Sequence, residues 1–138
     1  MQCINLIKCE IFVMIQSIAR DNNRSGERKA LMEWKELDPE LLLQMLADRQ
    51  IEPEQIIDVR ETFEWEYYHL ESSRLIPMNT IPYSLGTISD DKPLYIVCAH
   101  GVRSAAVCNY LEEQGYGNLH NVTGGMAAIA SLQGFQYD

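Results

Sequence analysis

"PLYIVCAHGVRSAAVCNYLEEQG", residues 93–115, reads as strand, loop and helix in one continuous pass. Leu94 to Val97 form an unbroken apolar run, Gly101 marks a turn, and from about Ser104 onward Val107, Cys108 and Leu111 recur at helical spacing. A strand that is apolar at every position, not at alternate ones, is covered on both faces, the condition of a parallel sheet in an α/β domain. In such sheets ligands bind beyond the carboxyl ends of the strands, where loops lead into helix amino termini. Cys98 stands at that place.

The flanking sequence repeats the pattern. "MEWKEL", residues 32–37, reads as a short strand; Asp38 is a helix N-cap with Pro39 at the first helical position, and Leu41, Leu42, Met45 and Leu46 make an apolar stripe over a helix of about 39–49. "QIIDV" (55–59) and "RLIPM" (74–78) are further short strands, separated by "RETFEWEYYHL" (60–70), which has helical spacing. "TIPYSLGTIS" (80–89) is a weak helix because of Pro82 and Gly86. "LHNVTG" (119–124) reads as a strand and "GMAAIASLQG" (125–134) as the closing helix. Strands alternating with helices define an α/β fold with a parallel sheet.

Composition narrows the function classes. The 138-residue chain is 46% hydrophobic and carries a net charge of −9, enough apolar side chain for one core and the wrong sign for nucleic acid or an anionic membrane as main partner. Residues 1–30 hold five basic and three acidic residues, so the remainder holds six basic against seventeen acidic. Residues 1–31 are expected to be an appendage, helical or disordered: Ile4, Ile7, Ile11, Met14 and Ile18 recur at helical spacing before the polar linker "RDNNRSGERK" (20–29), and Met32 is itself a possible start. Residues 32–138 are expected to form the domain. Lys8 and Glu10 interrupt the apolar stretch 3–19, so it is read as neither a signal peptide nor a membrane anchor. The cysteines at 3, 9, 98 and 108 lack zinc-site spacing and the density of a disulfide scaffold, so no metal or other cofactor is expected and a reducing cytoplasm fits best.

Free cysteine is among the most buried residue types, so a lone cysteine ending a strand is ordinarily a small hydrophobe. The order strand, Cys98, Ala99, His100, Gly101, Val102, Arg103, Ser104, helix changes that reading. A turn into a helix aims successive backbone N–H groups and the positive end of the helix dipole at the sulfur, which favours thiolate and makes a nucleophile. Gly101 permits the tight turn and Arg103 adds a planar cation. Cys108, within the helix, is expected in the core. Asp58 and Arg60, either side of Val59, project to one side of a strand end and are read as an ion pair or turn brace supporting the loop. Glu64 and Glu66 are expected on a solvated helix face around one buried aromatic, Trp65. His100 is either a proton-transfer group or an exposed rim residue; His69 and His120 are structural. Gly124 and Gly125 are expected to make a tight turn at the rim of the same site.

Four motifs in order resemble those of a single-domain rhodanese: "IIDVRETFEWEYYHL" (56–70), "LIPM" (75–78), "CAHGVRS" (98–104) and "VTGGMAAI" (122–129). The resemblance implies a parallel five-stranded sheet with helices on both faces, and a sulfurtransferase in which Cys98 carries sulfane sulfur as a persulfide. By the same resemblance, the loop Ala99, His100, Gly101, Val102 and Ser104 cradles the sulfur and Arg103 holds an anionic donor. The donor would be thiosulfate or a small-molecule or protein persulfide, and the acceptor a thiol or cyanide. Glu71, Ser72 and Ser73 depart from the family's usual Pro-Gly-Ala-like turn, and residues 1–31 have no counterpart in it; oligomeric state stays open.

Two other classes compete. Phosphatases and arsenate reductases of related fold also use a cysteine in an amide cradle, but with five residues between Cys and Arg; only four, "AHGV", intervene here. The smaller ring suits a sulfur atom better than a tetrahedral oxyanion. A non-catalytic interaction module is the third reading, and the intact Cys98 and Arg103 weigh against it.

Overall fold

The computed structural model describes residues 33–137. The helical spacing of Ile4 to Ile18, the linker 20–29 and Met32 lie outside the described residues. The sheet contains β1 (Lys35–Leu37), β2 (Ile56–Asp58), β3 (Arg74–Leu75), β4 (Leu94–Val97) and β5 (Leu119–Val122), all paired in parallel in the order β1-β5-β4-β2-β3. Between them run α1 (Pro39–Ala47), α2 (Thr62–Tyr67), α3 (Val102–Glu113) and, after β5, α4 (Gly125–Leu132).

The apolar strands are buried on both faces, as the runs predict. Ile57, Leu94, Ile96 and Leu119 face one side and pack with Val107, Cys108 and Leu111 of α3. Ile56, Tyr95, Val97 and Val122 face the other and pack with Leu42 of α1 and with Met126 and Ile129 of α4. Each fully buried Leu, Ile or Val in these layers contributes roughly 1.5–3 kcal/mol by leaving water. Sheet and helices therefore hold each other, and the strand ends are rigid.

α1 begins as its cap predicts: the Asp38 side chain accepts from Glu40 N at 2.8 Å, with Pro39 in the first turn. Its apolar stripe is rotated from the expected one, with Leu41 exposed and Leu43 packed inward beside Leu42, Met45 and Leu46. The expected weak helix at 80–89 is instead two 3₁₀ segments, Met78–Tyr83 and Leu85–Thr87. Pro82 supplies no N–H for a longer helical ladder, and the shorter turn needs fewer such bonds.

The connections place the functional end of the sheet. β2 leads through α2 outward to β3, while its neighbour β4 leads through α3 the other way to β5. A crevice opens where adjacent strands diverge in this manner, beyond the carboxyl ends of β2 and β4. Asp58 and Val97 are paired at that edge, one residue before Cys98.

Candidate active site

Cys98 follows β4 directly and is 1% exposed. The Gly101 amide donates to its Sγ at 3.0 Å, and Ser104 Oγ lies 3.2 Å from the same sulfur. Gly101 has φ +101°, a left-handed conformation that glycine adopts without strain, and it forms the N-cap of α3. The helix thus starts at Val102, two residues earlier than the spacing of its apolar residues predicts. Arg103 and Ser104 fall in its first turn, where backbone N–H groups lack intrahelical acceptors and the helix dipole is positive.

The loop is held open by α4. Met126 N donates to Cys98 O at 2.7 Å and Ala127 N to Ala99 O at 3.0 Å. Those bonds commit the Cys98 and Ala99 carbonyls to α4, and the Gly101 amide is the one that reaches the sulfur. Gly124 and Gly125 make the approach possible, with φ of +77° and +63°. A Cβ on Gly125 would lie 2.5 Å from both the Cys98 and Ala99 carbonyl oxygens.

Asn121, missed by the sequence reading, organises the floor. Its Nδ2 donates to Gly101 O at 3.1 Å and to Glu36 Oε2 at 3.2 Å. Nδ2 being the donor, Oδ1 is the acceptor, and it takes the Ser104 hydroxyl proton at 2.5 Å. With that single proton committed, Ser104 Oγ offers Cys98 a lone pair, and the thiol proton, when present, points to Ser104. A polar Asn inside the otherwise apolar "LHNV" was the available signal. Asn121→Ala removes both tethers, and sulfur loading of Cys98 is expected to slow about tenfold, the equivalent of one or two hydrogen bonds. A time course of intact mass checks this; unchanged loading would show that Gly101 and Ser104 hold position without it.

Asp58 and Arg60 are both fully buried and joined by three side-chain hydrogen bonds, the shortest being Nε to Oδ1 at 2.8 Å and Nη2 to Oδ2 at 2.7 Å. Arg60 also donates to Glu64 O at 3.1 Å, Tyr68 O at 2.7 Å and Tyr137 Oη at 3.1 Å. Burial pushes the Arg60 pKa down, but the hydrogen bond and charge of Asp58 outweigh it and leave it raised. Beyond Asp58 and Tyr137, its donors go to one carbonyl within α2, Glu64, and to that of the residue just past its end, Tyr68. The pair braces α2, and its hydrogen bonds go to α2, Tyr68 and Tyr137, while those of Cys98 are with Gly101 and Ser104.

That brace fixes Glu64, whose expected solvated position is corrected by the structure. The Glu64 carboxylate clasps Arg103, Oε1 to Nη1 and Oε2 to Nη2, each at 2.9 Å, and its side chain is only 16% exposed. The hydrogen bond from Arg103 holds the Glu64 carboxyl below its ordinary range, and the same bond raises Arg103. The clasp spans the crevice, from the helix after β2 to the helix after β4. Glu64 also bonds the Glu61 amide in a capping box at 2.9 Å, a spacing of acidic residues visible in "ETFE". Trp65 is half-buried, stacked on His69, and Glu66 is exposed.

The remaining residues divide plainly. His100 is exposed at the rim, edge-on to Tyr137 with ring centroids 6.3 Å apart, and Val102 is exposed beside it in the chain. His120 stacks on Tyr95 away from the sulfur, and burial lowers its pKa. Cys108 is fully buried beneath the site, where burial pushes its thiol far up.

The chain is similar to known proteins. A sulfurtransferase of Allochromatium vinosum is 37% identical over 95 residues, 69% of this chain and 87% of the relative. The thiosulfate sulfurtransferase GlpE of Shewanella oneidensis is 28% identical over 95 residues, 69% of this chain and 91% of that protein. A crystal structure of a rhodanese-like domain protein from Staphylococcus aureus superposes with a TM-score of 0.63 at 41% identity, over 69% of this chain and 90% of its own. The family model for the rhodanese-like domain runs from the N-cap of α1 to the end of α4, residues 38–132, and the chain belongs to that family.

Proposed function

We propose that the protein is a sulfurtransferase that carries sulfane sulfur as a persulfide on Cys98. The observation that carries this reading is the sulfur itself: Cys98 Sγ receives the Gly101 amide at 3.0 Å at the N-terminus of α3, with Ser104 at 3.2 Å. Relatives named as sulfurtransferases support it. In the first step the Cys98 thiolate attacks the terminal sulfur of a donor, the bond between that sulfur and the rest of the donor breaks, and the leaving group departs with the electron pair. Sulfite leaves from thiosulfate, and a thiolate from a persulfide. In the second step cyanide or a thiolate attacks the outer sulfur and restores the Cys98 thiolate. The Gly101 amide and the positive end of α3 at the sulfur stabilise the charge that moves between the two sulfurs.

The proposal extends to setting and organisation. Donor and acceptor are small molecules or proteins, with neither nucleic acid nor membrane as partner. Among the described residues no helix is long and apolar enough to cross a membrane, and Cys98 and Cys108 are unpaired thiols suited to a reducing cytoplasm. Residues 1–31 act as an appendage to the domain 32–138. Intact mass after incubation with a sulfane donor and removal of excess reagent tests the chemistry: one added sulfur, lost on addition of cyanide, is expected. A chain that gains none from thiosulfate, thiosulfonate or organic persulfides is not a sulfurtransferase.

A further inference from the structure

The cations of the domain are distributed unevenly between the two ends of the sheet. Between residues 33 and 137 the basic residues are Lys35, Arg49, Arg74, Lys92 and the two arginines already described, Arg60 and Arg103. Lys35 begins β1, Arg74 begins β3, Lys92 precedes β4 and Arg49 lies between α1 and β2. In a parallel sheet those positions share the amino-terminal edge, opposite Cys98. Arg60 and Arg103 alone among the described residues stand at the active end, and each is paired with a carboxylate, Arg60 with Asp58 through three side-chain hydrogen bonds and Arg103 with Glu64 through two. Glu36, Asp38 and Glu61 lie near the same strand ends. Two arginines and five carboxylates thus stand at that end of the sheet.

Access to the sulfur sharpens the consequence. Cys98 is 1% exposed, so a donor reaches it through its terminal sulfur while its body stays at the rim. In the first turns of α3 and α2, the helices that leave this end of the sheet, Val102 is 77% exposed and Phe63 72%. Exposed apolar side chains at an end where, among the described residues, both cations are paired disfavour a small dianion and suit an organic donor of low charge.

We propose, on the basis of the sulfurtransferase reading, that the Glu64 clasp on Arg103 selects sulfane donors bearing an apolar body and at most one charge, and selects against thiosulfate. Arg103 is then a shape element of the loop and Glu64 a specificity-determining residue.

Benzenethiosulfonate and thiosulfate test this as a matched pair, because both break the same type of bond between a sulfonyl sulfur and a sulfane sulfur. Benzenethiosulfonate leaves as benzenesulfinate and carries one charge; thiosulfate leaves as sulfite and carries two. For the full chain, kcat/KM relative to each donor's rate with a simple free thiol is expected to favour benzenethiosulfonate by about tenfold or more, given a like-charged mouth. Added salt screens that repulsion, so the thiosulfate rate should rise between low ionic strength and about 0.15 M, where the screening length shortens to about 8 Å. Glu64→Gln keeps a capping side chain but removes the charge, and should raise kcat/KM for thiosulfate several-fold more than for benzenethiosulfonate. Equal use of the two donors, or a thiosulfate rate that falls with salt, overturns the proposal while leaving sulfur transfer intact. If neither donor places sulfur on Cys98, the sulfurtransferase reading fails first and the selectivity with it.

Discussion

Cys98→Ser is expected to keep the fold and lose sulfur loading and transfer by about 10³-fold or more, because a serine hydroxyl at neutral pH is a far weaker nucleophile than a cysteine and cannot form a persulfide. The fold should survive because oxygen in place of sulfur still accepts the Gly101 amide and meets Ser104, whose positions are fixed independently by Asn121. Cys108→Ala provides the contrast. That thiol is fully buried against the sheet, and burial, with Glu36 and Glu112 adding to it, keeps it protonated. Its variant should load sulfur at close to the parent rate. Intact mass and thiocyanate release, measured on both variants, check the pair; comparable losses in the two would end the assignment of a single nucleophile.

Gly125→Ala is expected to produce the other large effect, at a residue with no chemistry of its own. The added methyl would sit 2.5 Å from the Cys98 and Ala99 carbonyl oxygens at a backbone φ of +63°. Backbone, unlike the end of a flexible side chain, cannot step aside, so α4 must withdraw from the loop and the bonds from Met126 and Ala127 must lengthen. A destabilisation of about 3 kcal/mol or more is expected from overlap and left-handed strain together, with a fall in loading of roughly 10²-fold as the amide cradle loses its geometry. Gly86→Ala, where a Cβ meets nothing within 4 Å, should leave both quantities nearly unchanged. Thermal unfolding and persulfide formation measured on the two variants decide it. A stable, fully active Gly125→Ala would show that α4 does not shape the loop.

What was legible in the sequence was local. Asp38 and Pro39 announce a helix start within two residues, and the apolar run 94–97 announces a strand covered on both faces. Cys98, Gly101 and Ser104 announce their closeness through an interval short enough to be set by one turn. The clasp of Glu64 on Arg103 joins residues 39 apart, and Asn121 reaches Ser104 across 17. Such contacts follow from the strand order, which brings β2 and β5 to either side of β4, and no periodicity along the chain encodes that order. Thus Glu64 read as a solvated acid and Asn121 drew no notice. The late glycines showed their turn but not their counterpart, since the clash that excludes a side chain at Gly125 belongs to carbonyls 26 and 27 positions earlier.

The tie between α4 and the loop also orders events during synthesis. Residues 98–104 leave the ribosome before residues 125–127, and until the later segment emerges and docks, the Cys98 and Ala99 carbonyls lack their partners in α4. On the nascent chain the loop around Cys98 is then without the tie that fixes it in the fold. A chain interrupted before α4 therefore lacks the two bonds that fix the Cys98 loop.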